Sequence, residues 1–186
     1  MKKISIHGIC FVALFVAIRS VLSSMTIATP WGVPFTLQTF AVALAGCVLG
    51  RRYGCASTVV YIILGCVGVP VFAGMSAGIG VLAGPTGGYI IGFVFLTLLT
   101  GFSVFFYERK ANLLLVLLLN VLGLAACHVP GVIWLKHVAS MSWYSALCVG
   151  TLPYLVKDLV SMGVAFYAGI KIRKVLRVAG LIEKLG

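Results

Sequence analysis

Long apolar runs, separated by short clusters of charge, proline or glycine, set the organisation of this chain. The first run extends from Ile4 to Ser24 behind Lys2 and Lys3, and the uncharged segment Thr26 to Pro34 separates it from the next. PFTLQTF (Pro34 to Phe40) opens the second run, LGRRYG (Leu49 to Gly54) makes a tight turn, and Tyr53 to Val69 is the third. A glycine-rich loop, Val71 to Gly84, leads into a fourth run from Pro85 to Tyr107, which ends at the turn Glu108-Arg109-Lys110. The leucine-rich fifth run covers Ala111 to His128; HVPG breaks it, and GVIWL continues to Lys136 as an irregular or interfacial piece. A polar loop, Lys136 to Ser145, precedes a sixth run that starts near Gly150-Thr151 and ends in a basic tail. A helix needs about 20 apolar residues to cross a bilayer. The pattern therefore predicts an all-α integral membrane protein: a compact bundle of six transmembrane helices forming one domain over residues 1–186.

Within this pattern VFAGMSAGIGVLAGPTGGYIIGF (Val71 to Phe93) stands apart. Pro85 is expected in the first helical turn, where its missing N–H costs nothing. Gly84, Gly88 and Gly92 recur every four residues and share one helical face. In a bilayer such a face admits another helix or a ligand close to the backbone. The stretch reads as a glycine-built loop and helix forming one wall of a small-molecule pocket.

Composition supports the membrane class. Charged residues make up 9% of the chain and hydrophobic ones 62%, with mean hydropathy +1.18; ordinary globular domains carry about a quarter charged residues. The net charge of +11 is explained by position rather than by nucleic acid. Eleven of the 14 basic residues flank one side of the predicted spans, Lys136 stands alone on the other, and Arg19 and Lys157 fall within spans. By the positive-inside rule both termini are cytoplasmic. The lysine-flanked start resembles a signal peptide, but Arg19 interrupts the apolar run and no Ala-x-Ala site follows closely, so it reads as a retained span. The six cysteines form no Cys-x-x-Cys pair and read as small buried hydrophobes. The three histidines are scattered, and no local metal cluster or cofactor site is expected.

Only three acidic residues occur, and Asp158 is the single carboxylate within a predicted span. An intramembrane ionisable residue is costly and functional by default. Arg19 lies about 8 Å, and Asp158 roughly 10 Å, from the outer end of its helix. Lys157 is adjacent in sequence but points about 100° away around the helix. Asp158 thus either pairs with Arg19 or Lys157 to neutralise charge, or contacts a ligand. No paired carboxylates, His-Glu-x-x-His, Gly-x-Ser-x-Gly or P-loop lysine is present, so the chain reads as a non-enzyme. Any active transport must draw energy from a partner or a gradient.

PFTLQTFAVALAG (Pro34 to Gly46), LGRRYG, YIILGCVGVPVFAG (Tyr61 to Gly74), GPTGGYIIGF (Gly84 to Phe93) and LPYLVKDL (Leu152 to Leu159) resemble the signature segments of the BioY family, the biotin-specific S components of energy-coupling-factor transporters. The resemblance implies a multi-pass protein of a prokaryotic cell membrane that captures biotin from the outer side. It would work with a transmembrane coupling subunit and two ATPase subunits, among membrane lipids and without nucleic acid. Ala13 and Ala17, one turn apart, are similar to the alanine motif by which S components dock on the coupling subunit; packing within the bundle is the alternative. One feature departs from the family pattern of Gly-Asp with a lysine three residues later: here Lys157 precedes Asp158, and Ser161 holds the later position.

Biotin presents an apolar bicyclic ring, two ureido N–H groups, a ureido carbonyl and a carboxylate. Asp158 suits a ureido N–H. Gln38, Thr36, Ser76 and Thr86 suit the carbonyl or second N–H, Tyr89, Trp31, Phe72 and Trp134 the rings and tail, and Arg19 or Lys157 the carboxylate. Another small vitamin, a secondary transporter, action without a coupling module, and a non-transport membrane protein are the other classes open to this sequence.

Overall fold

The computed structural model describes residues 6–30 and 32–181. Seven α-helices appear among them: α1 (Ile6–Ser24), α2 (Gln38–Cys66), α3 (Ile79–Ala83), α4 (Gly87–Glu108), α5 (Leu113–Val138), α6 (Trp143–Gly150) and α7 (Leu152–Val178). Two short strands, β1 (Thr26–Ile27) and β2 (Phe35–Thr36), pair antiparallel with Thr26 opposite Thr36. Trp31 and the terminal lysines Lys2, Lys3 and Lys184 lie outside the described residues.

The 29-residue helix α2 is a hairpin rather than a rod. At Gly50 the backbone leaves helical space with φ +72°, a left-handed value that glycine adopts without penalty. A Cβ built on Gly54 would lie 3.2 Å from both Ala45 O and Gly46 Cα, whereas eight residues of straight helix span about 12 Å. Gln38 Nε2 likewise reaches Tyr61 Oη at 2.9 Å. The halves, 38–49 and 51–66, therefore run antiparallel, as the expected turn at LGRRYG requires.

The first half is buried on nearly every side, with Val42, Ala43, Ala45 and Val48 fully enclosed. A helix apolar all round belongs in the middle of a bundle. Against it pack α4 and α7, α1 meets the second half, and α5 lies behind α4. Small residues bring these helices together. A Cβ on Gly92 would meet the Cys127 backbone at 2.8 Å, and one on Gly88 would lie 2.4 Å from Trp134 Cβ. The glycine face of α4 thus seats α5, not the pocket, and it comprises Gly88 and Gly92 alone. Pro85 and Gly84 precede the helix, whose N-cap is Thr86. On the outer surface, Leu114, Leu117, Leu118, Val121 and Leu122 of α5 and Val156, Val160 and Val164 of α7 are exposed. Such apolar faces belong against lipid.

Two expectations about the C-terminal half are corrected. The helix is not broken at His128 to Gly131; α5 carries Pro130 inside it and continues to Val138. Membrane helices tolerate an internal proline where neighbouring helices and local adjustments compensate the lost hydrogen bond. The loop expected over Lys136 to Ser145 shrinks accordingly to residues 139–142, and α6 begins at Trp143 because Ser142 caps it, its Oγ accepting from Ser145 N–H at 3.1 Å. The axes of α6 and α7 meet at 41°. Pro153 sits in the first turn of α7, where it costs no hydrogen bond.

Basic residues gather at one end of the bundle. Arg51, beside the α2 hairpin tip, rests over Phe102 and Phe105 near the end of α4, and Arg109 stacks 4.1 Å from the Phe105 centroid. From α7, Arg173 Nε pairs with Glu108 Oε1 at 2.7 Å.

Candidate functional site

At the opposite end, a cleft opens between segment 33–36, the starts of α2 and α4, the middle of α5 and the α6–α7 junction. Its cavity volume is about 50 Å³. Asp158, on the second turn of α7, forms its charged centre and is 3% exposed. His128 Nε2 lies 3.1 Å from Asp158 Oδ2, and His128 Nδ1 lies 3.4 Å from Thr151 Oγ1. A neutral imidazole protonated at Nε2 meets both contacts: it donates to the carboxylate and accepts from the threonine hydroxyl. Lys157 Nζ sits 2.6 Å from Asp158 Oδ1, donates to Thr36 O at 2.8 Å, and lies 5.1 Å from the Phe35 ring centroid. Oδ1 thus has the Lys157 ammonium as its partner, and Thr39 also hydrogen-bonds the carboxylate. A buried carboxylate held this way can still accept a further N–H or O–H, since its two oxygens offer about four lone-pair sites.

The walls are held by polar side chains with local partners. Gln38 donates from Nε2 to Tyr61 Oη, and Tyr61 in turn donates to Val71 O at 2.8 Å. Thr36 Oγ1 accepts from Gln38 N–H at 3.3 Å. Tyr89 donates to Gly150 O at 2.8 Å, and its ring meets His128 edge to face with centroids 5.9 Å apart. Tyr154 donates to Val33 O, and its ring lies 5.6 Å from Phe35. These bonds tie α7 to segment 33–36 and α4 to the end of α6, and they fix the aromatic lining.

Six of the expected site residues therefore meet in one cleft: Asp158, Lys157, Thr36, Gln38, Thr86 and Tyr89. Phe72 and Ser76 line an adjoining chamber that shares Gln38 and Thr86 with it. Two expected residues are elsewhere. Trp134 donates from Nε1 to Gly84 O at 3.0 Å and covers the start of α4, because α5 continues as a helix and carries the ring to that face. Arg19 is 1% exposed, but it faces the second half of α2, where Nη2 donates to Thr58 Oγ1 at 3.0 Å and the guanidinium lies 5.1 Å from the Tyr61 centroid. Its depth along α1 is comparable to that of Asp158 along α7, but its direction around the helix is different. Asp158 pairs with Lys157, not Arg19. The 100° between neighbouring Cα–Cβ directions does not prevent that pair, since the four-carbon lysine stem curls back.

Residues 1–178 match the family model described as the BioY family. The chain belongs to the BioY family. It is 40% identical over 157 residues to a probable biotin transporter BioY of Pyrococcus horikoshii, covering 84% of this chain and 90% of that protein. It is 36% identical over 154 residues to the biotin transporter BioY of Thermotoga maritima, covering 80% and 86%. The fold matches the 2.1 Å crystal structure of the S-component for biotin from an ECF-type ABC transporter with TM-score 0.74 and 26% identity, over 91% of this chain and 90% of that one. These relatives are transporters, and BioY membership places this chain among membrane transport proteins rather than enzymes.

Thr39, His128 and Tyr154 line the cleft of this BioY protein and escape sequence reasoning. His128 stands 30 positions from Asp158 and looks like part of a helix break beside Pro130. The signal that would have found it is its place within an apolar span, where any ionisable group deserves a partner. Tyr154 lies one turn before Asp158 on α7 and so shares its face.

Proposed function

We propose that this chain captures biotin from the outer side of a prokaryotic cell membrane and, docked on a transmembrane coupling subunit with two ATPase subunits, delivers it inward. The observation that carries this reading is the buried Asp158 carboxylate, the one acid in a cleft of aromatic and hydroxyl side chains. A ureido N–H fits that carboxylate as a charge-assisted donor. Lys157, freed in part from Asp158 by the ligand, meets the ureido carbonyl or the carboxylate. Thr36, Gln38, Thr86 and His128 complete the polar set, Tyr89 and Tyr154 flank the bicyclic ring, and Phe72 and Ser76 line the chamber for the tail. The BioY relatives named as biotin transporters support the choice of ligand.

The chain crosses the membrane six times in this reading: α1, each half of α2, α4, α5, and α6–α7 as one bent crossing. Both termini are cytoplasmic. The gathering of Arg51, Arg109 and Arg173 at the end remote from the cleft supports that orientation. Ala13 and Ala17 are both exposed on α1, on the side away from buried Phe15, Val16 and Arg19, which leaves them open to a coupling subunit.

Labelled biotin binding to the purified full chain, and uptake by a biotin auxotroph expressing it with and without coupling subunits, test the proposal. Ala13→Trp should keep binding and abolish energised uptake. Absence of saturable biotin binding, or its displacement by riboflavin or thiamin, overturns the choice of ligand.

A further inference from the structure

We propose that the groove between the α4–α5 turn and the last turns of α7 binds the phosphate headgroup of an anionic phospholipid. The groove is lined by Lys110, Arg173, Lys174 and Arg177, with Glu108 as its one carboxylate. That carboxylate is already engaged: Arg173 Nε donates to Oε1 at 2.7 Å, Arg173 Nη2 to Oε2 at 3.4 Å, and Arg177 Nη2 to Oε1. Arg173 Nη1 also donates to Val48 O at 2.8 Å, so this guanidinium is anchored against the α2 hairpin. Lys110 and Lys174 have no such partner; among the described residues neither forms an ion pair. Four cations against one carboxylate leave an uncompensated positive site, and its two free ammonium groups are available to a phosphate.

Lys110 adds a second argument. Its φ is +55°, at the position just past the end of α4 where glycine is the usual occupant. That conformation closes α4, with Ala111 N–H bonded to Phe106 O, and sets a cation rather than a glycine at the edge of the groove. The floor decides the kind of anion. Val104, Leu113 and Ile170 line the groove beneath the charges, and Leu113 and Leu114 continue an exposed apolar face down α5. Cations at the level of the helix ends above an apolar wall match a phosphodiester with acyl chains below it. Basic pockets between membrane helices recognise anionic headgroups in this way. A free phosphate would use the cations and leave the apolar wall unfilled. The groove lies at the end of the bundle remote from the Asp158 cleft, so the inference stands apart from the choice of transported ligand.

The test uses the full chain in nanodiscs of mixed phosphatidylcholine and phosphatidylglycerol, with retained lipid counted by native mass spectrometry after transfer to detergent. Phosphatidylglycerol should be retained in preference to phosphatidylcholine. The double change Lys110→Gln with Lys174→Gln should lower that preference at least fivefold while biotin affinity stays unchanged. Lys136→Gln with Lys171→Gln removes the same charge outside the groove and should keep it. Equal losses in the two double variants would reduce the effect to the general field of a basic protein and overturn the site. Equal thermal protection by inorganic phosphate or glycerol phosphate overturns the lipid as its source.

Discussion

Lys157 Nζ lies 2.6 Å from Asp158 Oδ1 although the two residues are neighbours on α7. Adjacent helical positions diverge by about 100°, so the lysine stem folds around the helix to bring its ammonium back. The same Nζ donates to Thr36 O and lies near the Phe35 ring, which makes Lys157 a strap between α7 and the segment entering α2. The family pattern places a lysine one turn after the aspartate. Here that position holds Ser161, which is buried at 9% exposure, and the cation arrives from the preceding residue.

Asp158→Asn tests the carboxylate. The asparagine keeps the shape and one acceptor but loses the charge. Hydrogen bonds to charged groups contribute about 1.5–3 kcal/mol, so biotin affinity should fall roughly ten- to 150-fold by calorimetry. The change also leaves Lys157 without its counter-charge, which costs folding up to about 3–5 kcal/mol. Adding Lys157→Gln should recover thermal stability without recovering affinity. A well-folded Asp158→Asn protein that binds like the parent ends the ligand role.

His128→Ala should weaken binding even though the residue's bond runs to Asp158 rather than to the cleft centre. Removing the donor leaves buried Oδ2 unsatisfied, a loss of about 1–3 kcal/mol. The carboxylate is then free to rotate away from the ligand. Affinity should fall about fivefold to 150-fold, and His128→Gln, which restores an N–H donor, should recover part of it. Equal affinities in all three proteins would show that the imidazole does not position Asp158.

Gly88→Leu probes the seat of α5 on α4. A Cβ at that position would meet Trp134 Cβ at 2.4 Å and Pro130 O at 2.5 Å. Overpacking costs about 1–3 kcal/mol, and here backbone would have to move. The thermal midpoint should drop, with biotin affinity lowered as a consequence of the shifted His128. Leu114→Ala, at a position 60% exposed on the lipid side, should change neither. A Gly88→Leu protein as stable as the parent would show that α4 and α5 separate without cost.

Much of this was legible from sequence because bilayers impose strong rules. Span length, the one intramembrane carboxylate and the asymmetry of lysine and arginine follow directly from solvation. The α2 hairpin was legible too, since LGRRYG joins glycines to charges where a turn needs both. Rotational direction was not. Arg19 and Asp158 have comparable depths on their helices, yet one faces Thr58 and the other faces His128, and no periodicity separates these outcomes in helices that are apolar on every side. Pro130 misled for a related reason: its cost depends on α4 packing alongside, a tertiary fact. Ser142 was missed as well: a serine cap amid polar residues looks like the loop expected over Lys136 to Ser145, yet it starts α6.

Arg19 supplies the last test, because its surroundings argue against both a ligand role and a structural ion pair. The guanidinium is almost completely enclosed, yet it has one hydrogen bond, to Thr58, while Nε and Nη1 have none. Its ring contact with Tyr61 contributes up to about 2 kcal/mol in a desolvated setting. Burying the charge costs several kcal/mol, so the balance is unfavourable. Tyr61 does not depend on it, being bonded to Gln38 and Val71 O, and Thr58 keeps Thr97 at 2.8 Å. Arg19→Met, similar in length and uncharged, should therefore leave thermal stability unchanged or raise it. Biotin affinity should stay within twofold of the parent. A destabilised Arg19→Met protein would show that the Thr58 bond and the Tyr61 contact outweigh the cost of burying the charge, and a folded one that has lost biotin would return Arg19 to the binding site.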